Sequence, residues 1–199
     1  VRTQEFSQEI AMRKKFMLIS LALSFVAVLC VTYSRVDTAR ASLETEEAFT
    51  IDVACDGRTY RQNNIDPAAT GARRGDTFIV EGKIYPVGTI PVGKDVFSPD
   101  RPGSIGTWIC RGVWLVNAEQ LAAGVSPAFD TTQIYLLPDE SNQLISEGLE
   151  GPMPTLRAVI GGTGSREGTV GEVRQVLLGT NVTGLFNFRF TFRVRKESD

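Results

Sequence analysis

The sequence predicts an all-β domain, an eight-stranded antiparallel β-barrel, behind an N-terminal signal or anchor segment. Three observations carry that prediction. Short apolar stretches recur at hairpin spacing, with room for only one brief helix. The 19 Gly and 9 Pro supply the turns that many short strands need. Most telling is Thr183–Val194, TGLFNFRFTFRV, in which Phe186, Phe188, Phe190 and Phe192 occupy every second position and Asn187, Arg189, Thr191 and Arg193 lie between them. Side chains on a strand alternate between faces, so this segment has one aromatic wall and one polar wall; a helix would scatter the rings around its axis. The spacing suits a barrel or a sandwich, but closure removes the exposed edges that invite aggregation, and eight strands enclose space for about one small ligand.

The chain begins with residues that do not belong to the barrel. Met12-Arg13-Lys14-Lys15 is basic, Phe16–Val31 is uncharged and almost wholly apolar, and Ala39-Arg40-Ala41 has the small-x-small pattern of a signal-peptidase site. Residues 12–41 therefore read as a secretory signal. The rival reading is a membrane anchor over residues 16–31, which fall just short of a bilayer span. Residues 1–11 precede a good start methionine and read as a misassigned extension. The expected location is secreted or periplasmic, with no stable membrane insertion once the signal is cleaved, and residues 42–199 form the barrel domain.

The strands follow in order. Phe49–Cys55 alternates and ends at Asp56-Gly57, and Arg58–Arg74 reads as a polar loop. Gly75–Ile90 is one long strand or two short ones, with Gly82 and Pro86 marking a bulge or an edge. Pro91–Gly103 is a surface loop. Ile105–Val116 is the most apolar strand, with Trp108, Cys110 and Trp114 on one face. Asn117 then reads as a helix cap, Gln120 as its capping-box partner and Gly124 as the stop, so a turn or two of helix covers Ala118–Ala123. Thr131–Leu137 and Gln143–Leu149 flank the turn Pro138-Asp139-Glu140-Ser141. Thr155–Gly161, Thr169–Leu178 and Val182–Val194 complete the set.

Composition excludes whole classes of chemistry. The chain has no histidine, which rules out Ser-His-Asp and Cys-His catalysis and any His-ligated metal. Proton transfer must use carboxylates, Tyr, Cys, Lys or water. The whole sequence holds 21 Lys and Arg against 23 Asp and Glu; without the six basic and three acidic residues of 1–41 the balance is about −5. An acidic domain with no basic run is a poor nucleic-acid binder. Cys55 and Cys110 are the cysteines left beyond the signal, and they either form one disulfide or serve as two small buried hydrophobes. Asn181-Val182-Thr183 is a glycosylation sequon.

Arg157–Gln175, RAVIGGTGSREGTVGEVRQ, runs a strand into Gly161-Gly162-Thr163-Gly164 and returns as a second strand. It lacks the spacing of a dinucleotide fingerprint and the Lys of a P-loop, so it reads as a glycine-rich hairpin needing positive φ. The segment resembles the allene oxide cyclase and dirigent barrel superfamily, whose members carry a GGTG or GGSG turn followed by a G-x-x-G-x-V strand. Gly161, Gly162, Gly164, Gly168, Gly171 and Val173 match that pattern. Gly82-Lys83-Ile84-Tyr85 looks like the family's second strand, although Gly82 stands where the plant cyclases carry Asn, and Leu156 replaces an aromatic. Cys110 is similar to their cavity cysteine. The likeness is closest to bacterial, exported members. It implies an eight-stranded barrel with an apolar cavity, often trimeric. It also implies cofactor-free cyclisation or stereoselective coupling of a small hydrophobic intermediate, an isomerase-type activity if catalytic.

Candidate residues follow from the pattern. Phe186, Phe188, Phe190, Phe192, Trp108 and Trp114 are the expected ligand-binding wall. Arg111, Glu147, Arg157, Glu172, Arg174 and Arg189 lie within strands, where an inward charge would be paired and reactive. Cys110, Tyr85, Glu147 and Arg157 are the catalytic candidates. Three readings stay open: a cofactor-free cyclase, a carrier of a small hydrophobic molecule, and a structural module with a filled barrel.

Overall fold

The computed structural model describes residues 46–68, 71–95, 97–138, 141–151 and 153–196. The segments 1–11 and 12–41 lie outside the described residues, as do Asp139 and Glu140 of the expected turn. Nine strands belong to one sheet: β1 (Glu47–Cys55), β2 (Arg61–Asn63), β3 (Thr77–Pro86), β4 (Gly106–Trp114), β5 (Phe129–Leu136), β6 (Gln143–Glu150), β7 (Thr155–Gly162), β8 (Thr169–Thr180) and β9 (Phe186–Lys196). Their order is β1-β9-β8-β7-β6-β5-β4-β3-β2, all neighbours antiparallel, and β1 also pairs with β3. That last pairing closes eight strands into a barrel. The ninth, β2, continues past the end of β1 along the same edge of β3. It falls in the expected polar loop because its three residues, Arg-Gln-Asn, are too few and too polar to alternate.

Alternation decides which side chains enter the barrel. Phe188, Phe190, Phe192 and Val194 of β9 point inward and are buried, while Arg189, Thr191 and Arg193 between them face out. Ile51, Val53 and Cys55 enter from the neighbouring β1, and Trp108 and Cys110 from β4 across the lumen. The rings interlock across the lumen: Tyr135 lies 5.3 Å from Phe190 and 5.0 Å from Phe192, both edge-on, and Trp108 lies 6.3 Å from Phe190. Each such ring contributes about 1.5–3 kcal/mol by burial, so this layer is a packed floor. Gly82 is not a bulge, since β3 pairs in unbroken register on both sides. It is a close approach: a Cβ there would sit 2.7 Å from the Ala54 carbonyl oxygen.

The two ends of the barrel differ. At one end Phe49 stacks on Phe192 at 4.6 Å, and the Arg166 guanidinium lies 5.0 Å over Phe49 while pairing with Glu47. This end carries the GGTG hairpin. Its glycines are structural: Gly164 and Gly168 have φ of +61° and +69°, and a Cβ on Gly162 would strike the carbonyls of Arg166 and Gln143. At the other end the helix α1 (Ala118–Ala122), with the capping box of Asn117 and Gln120, opens a segment that runs to β5 beside the mouth.

Residues 87–95 and 97–104 strap the outer wall. Asp52, fully buried on that face, accepts Gly88 N (2.8 Å) and Ile90 N (3.2 Å) and pairs with Arg189 (2.8 Å). Beneath the strap Tyr85, Ile90, Phe97 and Leu178 form a small second core.

Candidate functional site

The inward face of β5 to β8 replaces apolar residues with a polar network. Arg157 on β7 is its centre, and its side chain has no exposure to solvent. Nε donates to Ser146 Oγ (3.3 Å). Nη1 donates to Thr131 Oγ1 (2.7 Å), the Gly148 carbonyl (3.1 Å) and Glu150 Oε1 (3.3 Å), and Nη2 to the Thr131 and Ser146 carbonyls (2.7 and 3.4 Å). A buried guanidinium is tolerated only when paired and saturated in this way. Gly148, with φ of +156°, lies against the Arg157 stem.

Glu150 is the counter-charge. Its Oε1 also accepts from Thr131 Oγ1 (2.6 Å) and Gln133 Nε2 (2.8 Å). The network continues deeper: Gln133 Nε2 donates to Gln175 Oε1 (3.1 Å), and the Tyr135 hydroxyl donates to Gln133 Oε1 (2.6 Å). Burial pushes the Tyr135 hydroxyl well above its ordinary pKa, so it is a donor and not a phenolate.

Glu150 stands at the wall of a mouth cavity of about 310 Å3, lined also by Phe129, Met153, Leu177, Phe186, Phe188 and residues of the 121–128 segment. With Oε1 occupied, Oε2 has no hydrogen-bond partner among the described residues. The arrangement is an apolar basin of drug-like size with one oriented carboxylate oxygen. Such a site can accept a hydrogen bond, or a proton, from the polar end of a small apolar guest.

The expected aromatic wall divides in two. Phe186, half exposed, and Phe188 line the cavity, whereas Phe190, Phe192 and Trp108 fill the floor below it. Trp114 packs against Phe129 (4.6 Å) and Phe78 (6.3 Å) behind the cavity wall. Of the six in-strand charges, Arg157 alone turns inward. Arg111, Glu147, Glu172, Arg174 and Arg189 all sit on the outer face. Glu147 is thus corrected as a cavity residue: it is exposed, accepts from Thr132 Oγ1 (3.2 Å) and borders an outer hollow of about 530 Å3 with Arg61, Ile79 and Arg111. That hollow is the larger, but it lies outside the barrel. Tyr85 is corrected likewise. It faces outward under the strap, where its hydroxyl donates to the Pro99 and Arg101 carbonyls (2.9 Å each).

Cys110 does face the interior, beside the Glu150–Arg157 pair. Burial above all, then the Glu150 charge, raises its thiol well above the ordinary value, so it is no thiolate nucleophile at neutral pH. Cys55 and Cys110 are both free thiols. Cys55 registers with Gly82, and Gly82 with Trp108 on β4. A whole strand therefore stands between the two cysteines, roughly 10 Å at sheet spacing, too far for a bridge. The sequon is closed as well: Asn181 is fully buried and its amide donates to the Cys55 carbonyl (2.7 Å). Among the described residues no group of three His, Cys, Asp or Glu converges to hold a metal.

Glu150, Gln133 and Gln175 escaped the sequence reading. Their signal was in the alternation: Leu144 placed inward puts Ser146, Gly148 and Glu150 on the same face. The expected strand ended at Leu149, one residue too early, and Glu147, the more central carboxylate, has the wrong parity.

No protein-family model matches the sequence, and no curated protein does either. Solved structures do. The pterocarpan synthase dirigent protein PsPTS1 superposes with a TM-score of 0.57 at 10% identity, covering 78% of this chain and 97% of that one. The pterocarpan synthase dirigent protein GePTS1 gives 0.53 at 12% identity, over 78% and 87%. A pyocyanin demethylase gives 0.49 at 16% identity, over 74% and 99%. The two dirigent superpositions show that the chain has the dirigent-type barrel fold that its GGTG segment pointed to.

Proposed function

We propose that this barrel binds a small, largely apolar molecule through its open mouth, seats a hydrogen-bond-donating group of that molecule on Glu150, and holds it for cyclisation or stereoselective coupling without a cofactor. The observation that carries the reading is Glu150 itself. One oxygen is fixed by Arg157, Thr131 and Gln133, which leaves the other to an apolar basin where a hydrogen bond to a charged group is worth about 1.5–3 kcal/mol. Catalysis in such a site comes from confinement near a reactive geometry. The dirigent-type fold supports the reading by analogy of architecture. We place the barrel outside the cytoplasm on the strength of residues 12–41.

The first test is titration with 4-ethylphenol, followed by quenching of Trp fluorescence. Saturable binding that falls about tenfold in Glu150→Gln is the expected result; binding indifferent to that substitution refutes it. Native mass spectrometry of protein from its own host then separates a carrier, which retains a chemically unchanged guest, from a protein that transforms it.

One observation favours assembly alongside ligand binding. Ile109, Ile134 and Ile145 are register partners across β4, β5 and β6 and form a half-buried outward row beside exposed Leu156 and Ile160. A second and third copy of the chain would cover it as a homotrimer. Sedimentation of wild type against Ile134→Lys tests this, and equal masses for the two would remove it.

A further inference from the structure

We propose that Gln175 is a second anchor of the mouth site, donating from Nε2 to an acceptor oxygen of the guest, so that the molecule bound is a compact hydroxy-carbonyl compound. The inference rests on the Glu150 reading and deepens it. Gln175 is fully buried, and its Nε2 has no hydrogen-bond partner among the described residues. Buried donors without partners are rare in native proteins, because each costs about 1–3 kcal/mol.

The orientation of this amide follows from the charge at Glu150. Arg157 holds Glu150 as the acceptor, so the Gln133 atom 2.8 Å from Oε1 must be the nitrogen. The same nitrogen faces Gln175 at 3.1 Å, so the Gln175 atom there must be oxygen. Turning the Gln175 amide over would set two N–H donors against each other. The polarity therefore runs from Arg157 through Glu150 and Gln133 to Gln175, and it ends on a donor with no acceptor among the described residues.

Position agrees with this role. Gln175 registers with Phe190 of the floor, and the next inward pair toward the mouth is Leu177 with Phe188, both of which line the cavity. Gln175 thus lies one step beneath the basin. Glu150 and Gln175 share a single donor, which puts their facing oxygens within two hydrogen bonds of each other, roughly 6 Å. Trp108 Nε1, also buried and without a partner among the described residues, belongs to the same layer. The interior therefore offers donors below and one carboxylate oxygen above. A guest matching both carries a hydroxyl at one end and a carbonyl at the other.

The test compares 4-hydroxyacetophenone with 4-ethylphenol, which keeps the hydroxyl and lacks the carbonyl. Wild type should bind the ketone about tenfold more tightly, and Gln175→Met should abolish that preference, so that the two probes bind the variant equally. The infrared C=O stretch of the bound ketone is an independent readout on wild type alone, expected at lower frequency than in hydrocarbon solvent. Equal binding of the two probes by wild type, or an unshifted carbonyl band, overturns the Gln175 anchor and leaves Glu150 standing. Failure of both phenols to bind overturns both.

Discussion

Replacing Arg157 with Met removes the charge that organises the interior and keeps most of the volume. Three costs follow from the structure. Glu150, 14% exposed, loses its ion pair. The carbonyls of Thr131, Ser146 and Gly148 lose donors, and Ser146 Oγ loses another. Breaking one partner of a buried pair costs about 3–5 kcal/mol, and the partial exposure of Glu150 places this case near the lower bound. For a domain of this size that corresponds to a fall in Tm of roughly 6–12 °C. Urea unfolding monitored by Trp108 and Trp114 fluorescence measures it. The double variant Arg157→Met/Glu150→Leu should recover about 1–3 kcal/mol relative to the sum of the single variants, because it leaves no charge stranded. A loss below about 1 kcal/mol for Arg157→Met, or strict additivity in the cycle, would show that the guanidinium is hydrated and not paired, and the site as described would be wrong.

Two further outcomes follow from the same geometry. Cys110 and Cys55 should resist a disulfide-exchange thiol reagent at pH 8 in the folded protein and react fully in denaturant; rapid labelling of native protein would contradict the raised thiol values. Asp76 accepts from Ile65 N and Arg73 N (2.8 Å each) and from Gln62, and these bonds, the Ile65 amide first, hold its carboxyl below the ordinary value. Its folded value lies below the unfolded one near 3.9, so its contribution is complete above that pH and lost as pH falls through the folded value. Asp76→Asn should therefore be less stable than wild type at pH 7 and converge with it in acid; a constant gap down to pH 2 would refute this.

The barrel was legible because its signal is periodic. Four phenylalanines at alternate positions, with polar residues between, admit one reading, and the register of β9 follows it residue by residue. The capping box of Asn117 and Gln120 was equally local and equally clear. What alternation leaves open is the absolute face, and that is where the site residues were mistaken. Tyr85 follows Ile84, and parity alone does not say which of the two enters the barrel; it is the strap, through Ile90 and Phe97, that buries Tyr85 on the outside. Glu147 and Glu150 lie on one strand three residues apart and therefore on opposite faces. Only the inward placement of Leu144 distinguishes them. Gln133 and Gln175 carry no charge, so nothing in their types marked them until a carboxylate gave their amides a direction.

The placement of polarity within the lumen makes the functional argument stronger than cavity size alone. The hairpin end is sealed by Phe49, Phe192 and Arg166, and the floor by Phe190, Trp108 and Tyr135, and those contacts suffice to specify a core. A protein that needed only a filled barrel could continue in the same manner to the mouth. Instead β5 to β8 introduce a saturated guanidinium, a carboxylate and two amides, a substitution that stability does not favour, since buried ion pairs exchange for hydrophobic residues at no loss or at a gain. The network also ends unevenly: among the described residues one carboxylate oxygen at the basin and one amide nitrogen beneath it are left unbonded. Polar groups retained only for fold specificity would be expected to satisfy one another. These two open positions, donor and acceptor, are what a guest molecule would complete.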